Sequence, residues 1–374
     1  MDGHGQPTGY ASWPWLRGVV WDVGLLGWGW VPFYLFVVGV LGLTGEWSAA
    51  GRAGAEPGLG LAILVALAIN YVHRHYTFFL VYGDRETFNE GRGWFTWGPA
   101  IAFVAVALAY RSSAELRLPV PGVEGGVSPW ALVLVANGAW NVWHTIMQRY
   151  GIGRVYAGKA GGGLQSPEHG RRDRRLLWVS ALWIAVVVLT FRQSTFDGIG
   201  NARRLLAALS PWLSGTPGRA VLFGVSAAWV AAVVDWARVE FRAAASRGPR
   251  WVFMGSTAAL LAIFVVHGPV IGYLCFGTAH ALEYVAFVHH FGRRKFRVDQ
   301  PDRKGLVVTM LRNPLVSAPL AAGALMLAFV LLAPHRRTEA YLVYYTATSM
   351  LHFLFDGLIW KVRRPSVARP LGLR

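Results

Sequence analysis

Seven histidines, His73, His75, His144, His280, His289, His290 and His352, lie inside or at the ends of strongly apolar stretches. Three of them have an acid or an amide one helical turn away: His280 with Glu283, His352 with Asp356, and His144 with Gln148. An ionisable group in hydrocarbon costs about 2.5–3.5 kcal/mol on insertion scales, so such groups face a bundle interior and mark function. Neutral imidazole together with carboxylate is a ligand set for Fe, Zn or Mn. A ligating histidine usually donates its second nitrogen to a carboxylate, carbonyl or amide. The set therefore reads as a buried metal site. His73, His144, His280 and His352 are its principal ligands, with Glu283 and His290 beside them. Glu283 and Asp356 would complete or tune it, and Tyr345, with Tyr273 and Tyr284, would position substrate or relay protons.

Spacing supports convergence. Asn137, Asn141, His144 and Gln148 recur at intervals of 4, 3 and 4, as do Tyr345, Ser349, His352 and Asp356. Asn70, His73, Thr77 and Asp84 share one helical face, and Tyr273, His280, Glu283, Tyr284 and His290 lie on or near another. Polar stripes of this kind cannot face lipid, so they must enclose a pocket among helices. His73 and His75 are about 200° apart around a helix, so only one points inward. His73 is chosen because its face carries Asn70 and Thr77. His75 and His289 read as helix–helix hydrogen-bonding groups, His267 as a turn residue beside Pro269, and His4, His169 and His335 as solvated.

The elements that must carry these residues are membrane helices. The 374 residues are 54% hydrophobic and only 15% charged, against about 25% charged in soluble domains. Ten spans are predicted at about 20–43, 59–82, 94–110, 128–149, 176–192, 219–236, 251–267, 269–291, 314–333 and 340–360. The fold class is an all-α, polytopic helical bundle forming a single transmembrane domain over 1–374. His267-Gly268-Pro269 separates spans seven and eight; as one helix, 251–291 would extend about 60 Å, twice the hydrocarbon thickness. A kinked single helix is the alternative. Counting Lys and Arg gives 25 on the side holding both termini and 9 on the other. The positive-inside rule then puts both termini in the cytoplasm. His73, His144, His280 and His352 fall about nine, five, eleven and eight residues from the cytoplasmic ends of even-numbered spans, within one slab of the cytoplasmic leaflet.

The formal charge of +17 is spread over short loops, so nucleic acid is not an expected partner. Membrane lipid is. The longest loops, 151–175 and 193–218, read as irregular, the first flexible and basic. The lone cysteine, Cys275, rules out an intrachain disulfide or thiolate cluster. The N-terminal stretch shows no basic region followed by a cleavage site, so no removable signal is expected.

Four segments, VHRHYTFFLVYGD, NVWHTIMQRYG, CFGTAHALEYVAFVHHFGRRKF and MLHFLFDGLIWK, together resemble, distantly, the bacterial Brp/Blh-type membrane β-carotene 15,15′-dioxygenases. That family spreads single histidines over several helices around iron. The family's Pro-His-Gly-Ala-Leu-Asp element is absent, and His280 with Glu283 stands where it has histidines four apart. The resemblance implies His73, His144, His280 and His352 as iron ligands and metal-dependent oxidation of a hydrophobic substrate. The expectation is a membrane oxidoreductase or oxygenase of the bacterial inner membrane, holding Fe(II) and acting on a lipid-like molecule, with a redox partner where electrons are needed. Zinc is an alternative metal. The alternative functions are a haem- or quinone-linked electron carrier and a proton or metal transporter.

Overall fold

The structure is a computed structural model and describes residues 14–45, 57–120, 123–161, 166–191, 212–243 and 248–373. The N-terminal stretch with His4, and most of the predicted loop 193–218, lie outside the described residues. In chain order the elements are α1 (Val19–Gly27), α2 (Val31–Val40), α3 (Pro57–Gly83), α4 (Arg85–Glu90), α5 (Arg92–Ser112) and a two-stranded hairpin, β1 (Leu118–Val120) with β2 (Val123–Val127). There follow α6 (Pro129–Ala160), α7 (Pro167–Phe191), α8 (Thr216–Arg242), α9 (248–267), α10 (269–294), α11 (Leu306–Arg312), α12 (Pro314–Leu332), α13 (Glu339–Ile359) and α14 (Pro365–Ala368). The all-α class holds, the small antiparallel hairpin being the only sheet among the described residues.

Local chemistry sets the boundaries. Asp84 leaves helical geometry and caps α4, its carboxylate accepting from the backbone N–H of Glu86 and Thr87; this serves two orphan donors of the first turn. Thr338 does the same for α13, accepting from the N–H of Tyr341. Proline opens α8, α12 and α14, where its missing N–H costs nothing.

The helical run Gly248–Arg294 is interrupted at Gly268, whose φ of 79° lies in the left-handed region. Arg149 hydrogen-bonds both Thr257, before the break, and Glu283, after it. In a straight helix those residues would stand about 39 Å apart. Phe264 and Phe276, twelve positions apart, meet with ring centroids at 6.0 Å. The run therefore folds back at Gly268 into a hairpin of two helices, α9 and α10.

By length and apolarity five described helices suit a membrane crossing: Arg92–Ser112, Pro167–Phe191, Thr216–Arg242, Gly248–Asp299 and Leu315–His335, or six with the pair α1 and α2, bent by 47°. The fourth is the one that folds back. The chain is thus a membrane protein by its helices. α3, α6 and α13, which carry His73, His144 and His352, fall outside that set because their polar faces lower the average hydropathy.

The described residues divide between two compact units, one within 1–67 and 148–286 and the other within 68–147 and 287–372. In the first, α7 packs along α8: Leu176, Ala232 and Trp236 are buried against Trp251 and Met254 of α9. Trp183 and Trp229 stack at 4.3 Å, and each donates its indole N–H to a serine of the facing helix, Ser226 and Ser180. Below them lies a buried ionic network. Arg250 bonds Glu240 (Nε, 2.9 Å) and Asp173 (Nη2, 2.8 Å), Arg154 bonds Asp173 at 2.9 Å, and the Trp236 indole N–H donates to Asp173 at 3.0 Å.

In the second unit α5 packs along α13 around Val106, Val343 and Ala347, and Phe95 meets Phe355 edge-on at 4.9 Å. A second cluster joins Ala68 and Tyr71 of α3 to Phe329 of α12. Lys295 is buried and bonds the carboxylates of Asp84 and Glu86 at 2.6 and 2.9 Å.

Two sequence expectations need correction. The basic segment 151–175 is helical through Ala160 and again from Pro167; its charges are used in pairs such as Arg172 with Glu168, one turn apart. Arg149, Arg250 and Lys295, counted as loop cations, are instead buried partners of acids.

Candidate metal centre

Three helices of the second unit bring histidine together. His73 sits on α3, His144 on α6, and His352 with Asp356 on α13; all four are at least 94% buried. Nε2 of His73 lies 3.1 Å from Nε2 of His352. The Asp356 Oδ2 oxygen stands 3.6 Å from His144 Nε2 and 3.8 Å from His352 Nε2. One ligand atom each from His144, His352 and Asp356 falls within 4.8 Å of the others. Metal–nitrogen bonds are about 2.0–2.1 Å, which puts two donors on one ion about 3–3.5 Å apart. The observed separations are within a few tenths of an ångström of that.

Thr77 decides which nitrogen of His352 is available. Its hydroxyl oxygen lies 2.7 Å from His352 Nδ1 and 2.9 Å from Asp356 Oδ1, one helical turn beyond His73 on α3. The carboxylate can only accept, so the threonine O–H donates to it and its oxygen accepts from His352 Nδ1–H. The proton order leaves His352 Nε2 with a lone pair, facing His73 Nε2. Two imidazole nitrogens at 3.1 Å must share either a proton or a cation. The donor set, neutral imidazoles with one carboxylate and a hydroxyl fixing the tautomer, fits a borderline first-row metal.

Aromatic rings wall this cluster. Phe353 packs against His144 with centroids at 4.9 Å, and His144 meets His352 edge-on at 4.8 Å. Trp140 lies against Phe353.

Within their own units the other candidates have the following neighbours. His280 is buried on α10 in the first unit, where Gln148 Nε2 donates to its backbone carbonyl at 3.0 Å. Glu283, in the same unit, is fully buried and ion-paired with Arg149. Arg149 also bonds Thr257 at 2.7 Å and lies over the rings of Phe253 and Phe276. His290 is buried near the end of α10, in the second unit. Tyr345 lies on α13 with its ring 4.0 Å from the guanidinium carbon of Arg74. His75 makes two hydrogen bonds, to the Tyr71 carbonyl at 2.6 Å and the Tyr344 hydroxyl at 2.8 Å. His289 bonds the Tyr76 hydroxyl at 3.1 Å, and His267 bridges Tyr34 and the Thr44 carbonyl.

Sequence reasoning missed three contributors. Thr77 stood only as a member of a polar face, and neither Arg149 nor Arg74 stood among the candidate residues. The interval of four from His73 to Thr77, matching His352 to Asp356, was the available signal for the first.

Outside the apolar spans, the Asp84 carboxyl shows the local electrostatics. Burial pushes its pKa up, but Lys295 and the hydrogen bonds from Lys295 and Thr87 outweigh that and hold it below its ordinary value. Comparison with family models, with curated proteins and with solved structures gives no match.

Proposed function

We propose that this chain is an integral-membrane, metal-dependent oxidoreductase or oxygenase acting on a hydrophobic, lipid-like substrate, with Fe(II) as its metal. The observation that supports this most is the convergence of His144, His352 and Asp356, with His73 alongside, from three helices onto one buried point. Two histidines and one carboxylate are the protein ligands of non-haem Fe(II) oxygenases, which keep positions open for O2 and substrate. When bound, such an ion supplies O2 activation. Asp356 compensates its charge in a medium that penalises isolated ions. Thr77 locks His352 and Asp356 in register, and Phe353 and Trp140 exclude water from one side.

The reading includes ten spans with both termini in the cytoplasm, after the charge asymmetry, and a place in a bacterial inner membrane. Haem ligation finds less support. Axial nitrogens on opposite sides of one iron stand about 4 Å apart, two metal–nitrogen bonds, whereas His73 and His352 are 3.1 Å apart.

Electron paramagnetic resonance of purified protein, loaded anaerobically with Fe(II) and exposed to nitric oxide as an O2 substitute, tests the proposal. A high-spin iron–nitrosyl signal that vanishes in Asp356→Ala is expected. Wild-type protein giving no such signal would refute the iron assignment.

A further inference from the structure

Arg74 is a buried cation on α3 that makes no ion pair among the described residues. It is only 4% exposed. Its Nη1 donates to the Tyr345 carbonyl at 2.8 Å and to the Thr348 hydroxyl at 3.0 Å, and its guanidinium plane covers the Tyr345 ring. Both hydrogen bonds use one nitrogen. Among the described residues nothing accepts from Nε or Nη2, the edge that forms a bidentate fork with carboxylate or phosphate. The neighbouring polar groups are already engaged with one another. His75 Nδ1–H donates to the Tyr71 carbonyl, leaving Nε2 to accept from the Tyr344 O–H, while the Tyr344 oxygen lies 3.0 Å from the Tyr71 hydroxyl.

The other deeply buried guanidiniums, Arg149 and Arg250, each have a carboxylate partner. Thr348 precedes His352 by one turn of α13, about 6 Å along the axis.

We infer that Arg74, stacked on Tyr345 and held by Thr348, is the receptor for the oxyanion headgroup of an amphiphile whose apolar chain reaches the histidine cluster. As the polar end of the substrate, this role rests on the enzymatic reading given above. The shared chemistry is a carboxylate or phosphate on a long acyl chain, either a free fatty acid or a phospholipid head.

The test is equilibrium binding of tritiated oleate and of tritiated dioleoyl phosphatidic acid to the purified full chain in detergent, with methyl oleate as neutral competitor. At least one anionic lipid should bind saturably, and methyl oleate should compete about tenfold or more weakly than oleate. Arg74→Gln should weaken binding by about tenfold or more, and Arg74→Lys should restore part of it. Preference for oleate identifies a fatty acid, and preference for phosphatidic acid a phospholipid. Absence of binding by both lipids, equal competition by methyl oleate, or undiminished binding in Arg74→Gln would overturn the inference. Should Arg74→Gln not fold, the wild-type discrimination against methyl oleate and the Arg74→Lys variant decide. Metal content is read in parallel: Arg74-dependent lipid binding by a wild type that takes up no metal would sink the metal reading and leave this one standing.

Discussion

The largest buried polar centres of the two units differ in kind, although the second unit also pairs Lys295 with Asp84 and Glu86. In the first, charges cancel in place: Arg250 lies between Glu240 and Asp173, Arg154 adds to Asp173, and Arg149 closes on Glu283. In the second, the buried centre is made of imidazoles and one carboxylate, tied together by a threonine rather than by a cation. Buried ion pairs of the first kind fasten helices and cost dearly when one partner is removed. A cluster of lone-pair donors on three helices gives little to stability by itself, but offers ligand atoms close enough together that they could hold a positive ion. The difference separates a scaffold from a site.

Breaking the scaffold should produce the largest effect on stability. Arg250→Met strands the buried carboxylate of Glu240 and leaves Asp173 with Arg154 alone as its cation; it should cost about 3–5 kcal/mol, read as a large fall in thermal midpoint in detergent. Arg149→Met, which opens the clasp between α9 and α10, should cost a similar amount. A midpoint unchanged by either substitution would mean that these pairs do not hold the first unit together.

The site should behave otherwise. Thr77→Val keeps the volume of the side chain but removes the link between His352 Nδ1 and Asp356. Metal affinity should fall about 10–100-fold, while the metal-free protein loses about 1–3 kcal/mol for the stranded polar groups. Undiminished affinity, measured by competition with a chelator, would show that the relay does not orient His352.

The smallest effect concerns acid. Asp84 has a folded pKa below its ordinary value, so it contributes stability that is fully present above that ordinary value, near pH 4. The contribution is lost as pH falls through the lower, folded value. Lys295→Met removes the cation that depresses it and should raise the pH at which acid unfolding begins. The same acid-unfolding midpoint in wild type and variant would contradict this.

The clustering of His73, His144, His352 and Asp356 was more legible in the sequence than the ion pairs, for a physical reason. A histidine in an apolar run is conspicuous because hydrocarbon penalises it, and His73, His144, His352 and Asp356 stood out on that ground and on helical spacing. The fold-back at Gly268 was legible in the same way, since a largely apolar run of 41 residues, 251–291, overruns a bilayer as one helix. Arg149, Arg250 and Lys295 were not legible. A cation at the end of an apolar run looks the same whether it reaches water or turns back to an acid on another helix, and only tertiary contact distinguishes the two. The helical stretch from Pro167 was hidden by its charge, and the hairpin of β1 and β2 by strands of three and five residues with two glycines.

Metal analysis of the purified full chain by inductively coupled plasma mass spectrometry tests the central claim most directly, with His144→Ala, His352→Ala and Asp356→Ala beside the wild type and Arg250→Met as a scaffold control. The account predicts metal in the wild type and in whatever fraction of Arg250→Met remains folded, with occupancy lost in each of the three site variants. A wild type that takes up no metal, or full occupancy in all three site variants, would contradict it.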